Sequence, residues 1–479
     1  MAFSMAWVEG AGQGALDRLA GLRAEVYRCF PRRGDVLLEL GDAVLCAAGR
    51  VTDLAHLSLE EVFRRGHGAL FAGLNAGRVE AARLRRAVAG LALPAWPDRR
   101  IRLAVDVTAW LRPDAVTSPE LLWCPVPGRE GGQVVPGWPY SMVAALGPGP
   151  SSWAVLLDAV RLGPGDDACA VTAAQIREVA GRLAAAGHWQ PGDPPVLVVL
   201  DAGYNPVRLA RLLAGVPAEV VARVRSSRVF HRPAPPKEYG MPGRQARHGA
   251  PVRCDDPATW QGAVPAEAVH PRYGPLLVLS WGRVHQRLDR HCGGWEDWPP
   301  GQDLPVIEGT LIRLSVPGRD AMWLWSSAPD AAPDMVAAAW QGYLRRFDIE
   351  HVFRFLKRTL GWDKPLLRNP QAADRWTWLL LACWNQLWAA RPLAAALKLP
   401  WHRTLPAAGL TPGRVRAGFP RLHPALPALA SPPKPARPGP GRPKGSVNKA
   451  RAPRQPVGKT SPKPRRHKKK TAKQANQTG

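Results

Sequence analysis

An α/β fold is expected, in which an antiparallel strand meander is followed by helices alternating with buried strands. Two buried-strand signals and the segments between them predict it. The run Ile101 to Trp110 is apolar and rich in β-formers, with Asp106 in its middle, and Val196 to Leu200 is an unbroken apolar run leading straight into Asp201. Between them lie Tyr140 to Leu146 and Trp153 to Leu162, two further strand-like runs separated by the turn Gly147-Pro148-Gly149-Pro150. Thr172 then caps an amphipathic helix, Ala173 to Ala186, which Gly187 ends before the Asp201 strand. A helix after a meander crosses to a parallel strand. A second helical stretch, Val207 to Leu213, and the alternating run Glu219 to Arg225 extend the order to β-β-β-α-β-α-β.

The carboxylates stand out against this background. Charge in the middle of an apolar strand is costly unless it is used, which marks Asp106. Asp201 is delivered to the carboxyl end of a buried strand, the usual place for a site in an open α/β sheet. The plainer reading of each is a turn or cap residue. Farther along, Tyr343, Arg346, Glu350 and Lys357 stand in the spacing Y-x2-R-x3-E-x6-K. At about 100° per residue these positions fall in one stripe of a single helix, with a carboxylate flanked by two cations and a phenol. Over a nucleic acid, Glu350 can hold a metal ion while Tyr343, Arg346 and Lys357 grip phosphates. The plainer reading here is a solvated helix with an Arg/Glu pair at i, i+4.

Asp106 in Val-Asp-Val-Thr, Asp201 in Asp-Ala-Gly-Tyr and the Tyr343, Arg346, Glu350, Lys357 set resemble, in this order, the motifs of DDE transposases. The class resembled is that of bacterial insertion-sequence enzymes whose third motif is Tyr-Arg-Glu-Lys (YREK). One small departure is Ala202, where some relatives have glycine. The resemblance implies a ribonuclease-H-like core (β-β-β-α-β-α-β-α) with a β-rich insertion before the Glu helix, and Val278 to Arg283 and Thr310 to Val316 read as strands of that insertion. It further implies a helical DNA-binding region over 1–95, the core over 96–226 and 334–395, the insertion over 227–333, a C-terminal region over 396–430 and a basic tail over 431–479.

The function implied is metal-dependent cleavage of double-stranded DNA at the inverted-repeat ends of a mobile element, followed by attack of the freed 3′-hydroxyl on target DNA. Asp106, Asp201 and Glu350 would hold two Mg²⁺ ions about 4 Å apart, with Mn²⁺ able to substitute. Synapsis of two ends implies at least a homodimer. Of the insertion tryptophans, Trp298 is the expected stacking partner for a flipped base, with core packing as the alternative. A catalytically relict DNA-binding protein and a ribonuclease-H-like nuclease are the other readings, and the intact carboxylates and flanking cations argue against both.

Composition agrees with a nucleic-acid partner. Net charge is +27 over 479 residues, and Ser431 to Gly479 carries 15 Lys or Arg with no acid. With few large apolar residues this tail is expected to be disordered when free. Within it Gly441-Arg442-Pro443 resembles an AT-hook, which would place Arg442 in the minor groove of A/T-rich DNA; a generic polybasic tail is the alternative.

In the amino-terminal region Ser58 and Glu61 read as a capping box for a helix from Leu59 to Leu74, followed by the turn Asn75-Ala76-Gly77 and a helix over Val79 to Leu91. A helix-turn-helix would send Arg83 and Arg86 into a major groove; the alternative is a helical hairpin with a solvated arginine face. The seven scattered cysteines argue against a disulfide scaffold. No apolar run is long enough for a membrane span and the first ten residues lack a signal pattern, so a cytoplasmic, nucleoid-associated protein without membrane contact is expected.

Overall fold

The computed structural model describes residues 11–126, 133–240, 242–291, 293–296, 298–397, 403–435, 445 and 452–459. Five helices come first: α1 (Ala11–Arg28), α2 (Gly34–Cys46), α3 (Leu54–Leu57), α4 (His67–Ala76) and α5 (Ala81–Ala89). Then follow β1 (Arg102–Leu111), β2 (Leu122–Pro125), β3 (Val134–Leu146), β4 (Ala154–Arg161), α6 (Ala168–Ala185), β5 (Val196–Leu200), α7 (Pro206–Leu212) and β6 (Ala218–Val224). Six more strands are β7 (Val229–His231), β8 (Pro251–Arg253), β9 (Val264–His270), β10 (Gly274–His285), β11 (Glu308–Ser315) and β12 (Met322–Ser326). The chain returns to helix in α8 (Pro333–Arg345), α9 (Phe347–Arg358), α10 (Pro370–Ala396) and α11 (Pro412–Leu422).

All twelve strands belong to one mixed sheet. β1 is antiparallel to β3 and parallel to β5, and β5 is parallel to β6. β12 then pairs antiparallel with β6, so β7 to β12 extend the same sheet. The alternation of a strand sends successive residues to opposite faces. Val196, Val198 and Leu200 pack with α6 and α7, while Leu197 and Val199 join the core that contains α8, α9 and α10. Helices therefore cover both faces, which is why β5 is apolar at every position. Gly342 allows the close seating of α8: a Cβ there would lie 3.0 Å from Leu197 Cδ2 and 3.3 Å from Arg102 Cδ.

Strands and helices occupy the expected runs, including those at Val278 and Thr310, but β2 intervenes between the first two expected strands, and α6 begins at Ala168 with Asp167 as its cap, so Thr172 lies inside the helix and not at its start. Other expectations fail. No helix starts at Leu59: Asp53 caps α3, Ser58 closes it by donating its hydroxyl to the Ala55 carbonyl, and a turn runs on to Gly66. Ser58 therefore ends a helix where the capping-box reading has it begin one. Nor do the amino-terminal helices stand apart. α1, α2 and α4 bury their apolar faces against α10, more than 280 positions away.

The tail also departs from expectation. Within it, 452–459 lies along β2: Gln455 N–H donates to the Val116 carbonyl, Gly458 N–H to Leu121, and Trp123 N–H to the Gly458 carbonyl. The edge of a short strand offers unpaired backbone groups, and an extended segment needs little apolar content to take them. Val457 packs against the core, and a Cβ at Gly458 would lie 2.7 Å from Pro164. Arg442 lies outside the described residues.

Candidate active site

The register of β1 against β5 positions the first two carboxylates. Val105 is paired with Leu200, so Asp106, in the middle of β1, and Asp201, just past the end of β5, follow as lateral neighbours where the parallel pairing stops. Neighbouring strands lie about 4.8 Å apart, which brings side chains at this position together. Glu350 arrives from the first turn of α9, where the helix dipole favours an acid. Ile349, Val352, Phe353 and Leu356 bury the opposite stripe of α9 and fix its rotation.

Arg346 is the common neighbour of all three. Its Nη1 lies 3.2 Å from Asp106 Oδ2, and its Nη2 lies 2.8 Å from Glu350 Oε1 and 3.8 Å from Asp201 Oδ1. The arginine side chain is only 4% exposed, whereas Asp201 and Glu350 are 46% and 39% exposed. Burial pushes Asp106 up to about 6; Arg346 opposes the shift, and the charges of Glu350 and Asp201 add to it. Burial works against the Arg346 charge, yet Tyr343, Asp106, Asp201 and Glu350 hold the guanidinium above the ordinary arginine range.

The Tyr-Arg-Glu-Lys residues are divided between two helices and not carried by one, with Tyr343 on α8 and Glu350 and Lys357 on α9. The helical run is interrupted at Arg346, where Arg346 N–H donates to Tyr343 and Ile349 N–H to Arg346, a tightened turn between α8 and α9. Tyr343 is 1% exposed and its phenol is raised by burial. Lys357 donates to the Ala109 carbonyl at 3.0 Å and lies over the Trp362 ring, and burial lowers its ammonium. In this arrangement neither the phenol nor either cation is presented to solvent as a phosphate grip. The residues turn inward because α9 packs its apolar stripe on β1 and β4, which carries Lys357 over the sheet.

The remaining expected DNA contacts are spread across the molecule. Arg83 is held by Glu25 at 2.7 Å, while Arg86 is exposed on a helix that packs against α1, β4, α6 and α10. That packing buries Leu84, Val88 and Ala89, one face of α5, and leaves Arg86 on the other. Trp298 is half-buried, edge-on to Trp295 at 5.8 Å, with its indole N–H donated to the Asp303 carbonyl. This is the packing alternative of the two readings given above.

One feature was missed in the sequence. A cleft of about 420 Å³ opens beside Asp201, between the ends of β5 and β6 and the insertion, lined by Tyr204, Arg223, Arg225, Arg228 and Arg287. The signal was there: Arg223, Arg225 and Arg228 follow a buried strand in close succession. Tyr204 closes the inner side, its phenol raised first by burial and then by the charge of Asp106.

Three carboxylates supply hard oxygen donors of the kind Mg²⁺ takes, and they already converge on one cation, the Arg346 guanidinium. Among the described residues no three acidic, imidazole or thiol side chains are grouped closely enough to enclose an ion as they stand. The donor set is of the chemical type that a divalent ion takes.

Asp106, Asp201 and Glu350 thus meet around Arg346 beside the ends of the parallel-paired strands. Residues 25–285 match the family described as DDE superfamily endonuclease, more than half of the chain, and the chain belongs to that family. The match includes Asp106 and Asp201 and ends before Glu350, which joins the site by geometry. Among solved structures, the chain is similar to a piggyBac transposase in a synaptic complex with hairpin DNA. That likeness is at 12% identity and a TM-score of 0.38, covering 82% of this chain and 72% of that one. The search of curated proteins gave no match. Among the described residues no helix is long and apolar enough to cross a membrane.

Proposed function

We propose that this DDE-superfamily protein is a transposase of the Tyr-Arg-Glu-Lys class, encoded by a bacterial insertion sequence, which cuts the ends of its element and joins them to target DNA. The observation that carries the reading is the meeting of Asp106, Asp201 and Glu350, from three separate elements, around one buried guanidinium. The order β1, β3, β4, α6, β5, α7, β6, with α9 bearing the glutamate, supports a ribonuclease-H-like core spanning 96–226 and 334–395, with 227–333 as its insertion. Residues 1–95 are proposed to contribute to end binding, and two subunits to a synaptic complex, within the bacterial nucleoid.

Asp106, Asp201 and Glu350 would hold divalent ions, Mg²⁺ by preference, which when bound supply an activated oxygen nucleophile and stabilise the leaving oxygen. The chain's own part is positioning. The rigid strand pair fixes the two aspartates side by side, and α9 brings the glutamate onto them. Phosphoryl transfer needs orientation and charge stabilisation and no protein nucleophile. The arginines of the cleft beside Asp201 give the phosphates of the bound strand a cationic wall.

The test is cleavage of duplex DNA carrying the element's ends. Asp106→Asn, Asp201→Asn and Glu350→Gln should each lose at least about 100-fold in rate, since even outer-shell changes around a metal cost 10- to 100-fold. DNA affinity should be retained, and EDTA should reproduce the loss. Near-normal cleavage by any one variant removes that residue from the site.

A further inference from the structure

Arg346 is placed where a cation is most needed. Three carboxylates within 4 Å of one guanidinium leave an excess of negative charge in a partly buried site. The arginine is more deeply buried than any of its partners. Phe347 backs the guanidinium, its ring centroid 4.9 Å away, and the Nε of Arg346 is buried without a hydrogen-bond partner. The ion pairs of the side chain are all with the carboxylates, the Tyr343 ring lies 5.9 Å from the guanidinium, and one donor is left unsatisfied. That is the arrangement of an ion counterbalancing acids, at the junction of α8 and α9.

We propose that Arg346 is a built-in counter-cation: its guanidinium holds Asp106, Asp201 and Glu350 together in the resting protein, and it and a divalent ion exclude each other from the cluster. The inference rests on the reading of the cluster as a divalent-ion site. Two cations converging on the same oxygens repel, so metal entry releases the guanidinium. By linkage, anything that draws Arg346 away, such as a backbone phosphate, raises metal affinity, and bound metal raises affinity for that phosphate by the same factor. Metal loading and DNA loading are then coupled through one side chain, and the resting protein is biased against holding metal before DNA arrives.

Two measurements on the full chain, without DNA, test this. In metal-free thermal melts Arg346→Met, which keeps an apolar side chain against Phe347, should melt below wild type, because the carboxylates are left unopposed. Asp106→Asn in the Arg346→Met background should recover much of the loss, and this double variant is the folded reference should the single variant fail to fold. An Arg346→Met protein as stable as wild type, or no recovery in the double variant, overturns the counter-cation role. In calorimetric titration with Mn²⁺, Arg346→Met should bind about tenfold more tightly than wild type, within the 5- to 150-fold usual for coupled sites. Equal or weaker binding overturns the exclusion and makes the arginine a positioning residue. If Mn²⁺ binds none of these proteins, the metal-dependent function fails and the exclusion with it, while the counter-cation role is decided by the metal-free melts alone.

Discussion

Lys357 shows how far spacing carries and where it stops. Its interval from Glu350 is read directly from the chain, but its direction depends on how α9 is seated. The ammonium ends on the Ala109 carbonyl, inside the β1 margin and over the Trp362 ring. A hydrogen bond from a charged donor contributes about 1.5 to 3 kcal/mol, so Lys357→Met should lower stability by that order in denaturant melts. Because the charge is already engaged, the slope of log DNA affinity against log salt should stay the same. A fall of about one in that slope with unchanged stability would restore the phosphate-grip reading. The two aspartates were legible because a charge in an apolar strand is conspicuous, and Asp106 and Asp201 are indeed neighbours. The inward turn of Tyr343 and Arg346 was not legible, since the interruption at Arg346 leaves no glycine or proline to signal it.

At the scale of elements, three histidines join strands of the insertion. His285 on β10 is fully buried, its Nε2 2.9 Å from His248 Nδ1, and His231 on β7 lies with its ring 6.2 Å from that of His285. Burial, then the neighbouring His248 and His231, lower His285 to about 4, with Glu308 opposing and Arg247 adding to the shift. The sign follows from proton counting. Between the ordinary value of 6.5 and about 4 the unfolded chain binds the proton and the fold does not, so stability falls as pH drops through that window. One such group contributes up to about 1.4 kcal/mol per pH unit. Melts at pH 7 and pH 5 should show this loss, and His285→Leu should flatten it; an equal pH slope in the variant would place the dependence elsewhere. None of this was visible in sequence, because 37 positions separate His248 from His285 and only the antiparallel return of β10 onto β7 brings the rings together. By contrast, β5 was readable at once, since an unbroken apolar run with helices on both faces has one natural place in a sheet. The expected Leu59 helix failed for a local reason: the Ser58 hydroxyl serves helix ends in either direction, and here it closes the one before it.

On the scale of the whole molecule, the tail divides into a strap and a run of charge. Residues 452–459 are hydrogen-bonded along β2, while seven of the fifteen basic residues of 431–479 lie beyond them, in 461–479. Deleting 461–479 should reduce affinity for arbitrary duplex DNA and its salt slope, by about 0.9 for each phosphate no longer neutralised, with the melting temperature unchanged. Deleting 431–479 should do the same and lower the melting temperature as well, because the β2 edge is then uncovered. Equal melting temperatures for the two truncations would mean that the strap adds nothing to the fold. Composition announced the charge of this region; it could not announce the strap, which uses backbone groups and one valine. The same holds for the amino-terminal helices, whose apolar faces were plain in sequence and whose partner was not. That partner, α10, has a consequence for synthesis. A ribosome makes α1, α2 and α4 first and releases α10 only after the entire sheet has emerged, so the earliest helices wait with their apolar stripes uncovered through most of translation. A message broken anywhere before α10 would therefore yield a fragment whose earliest helices have lost the partner that covers their apolar faces.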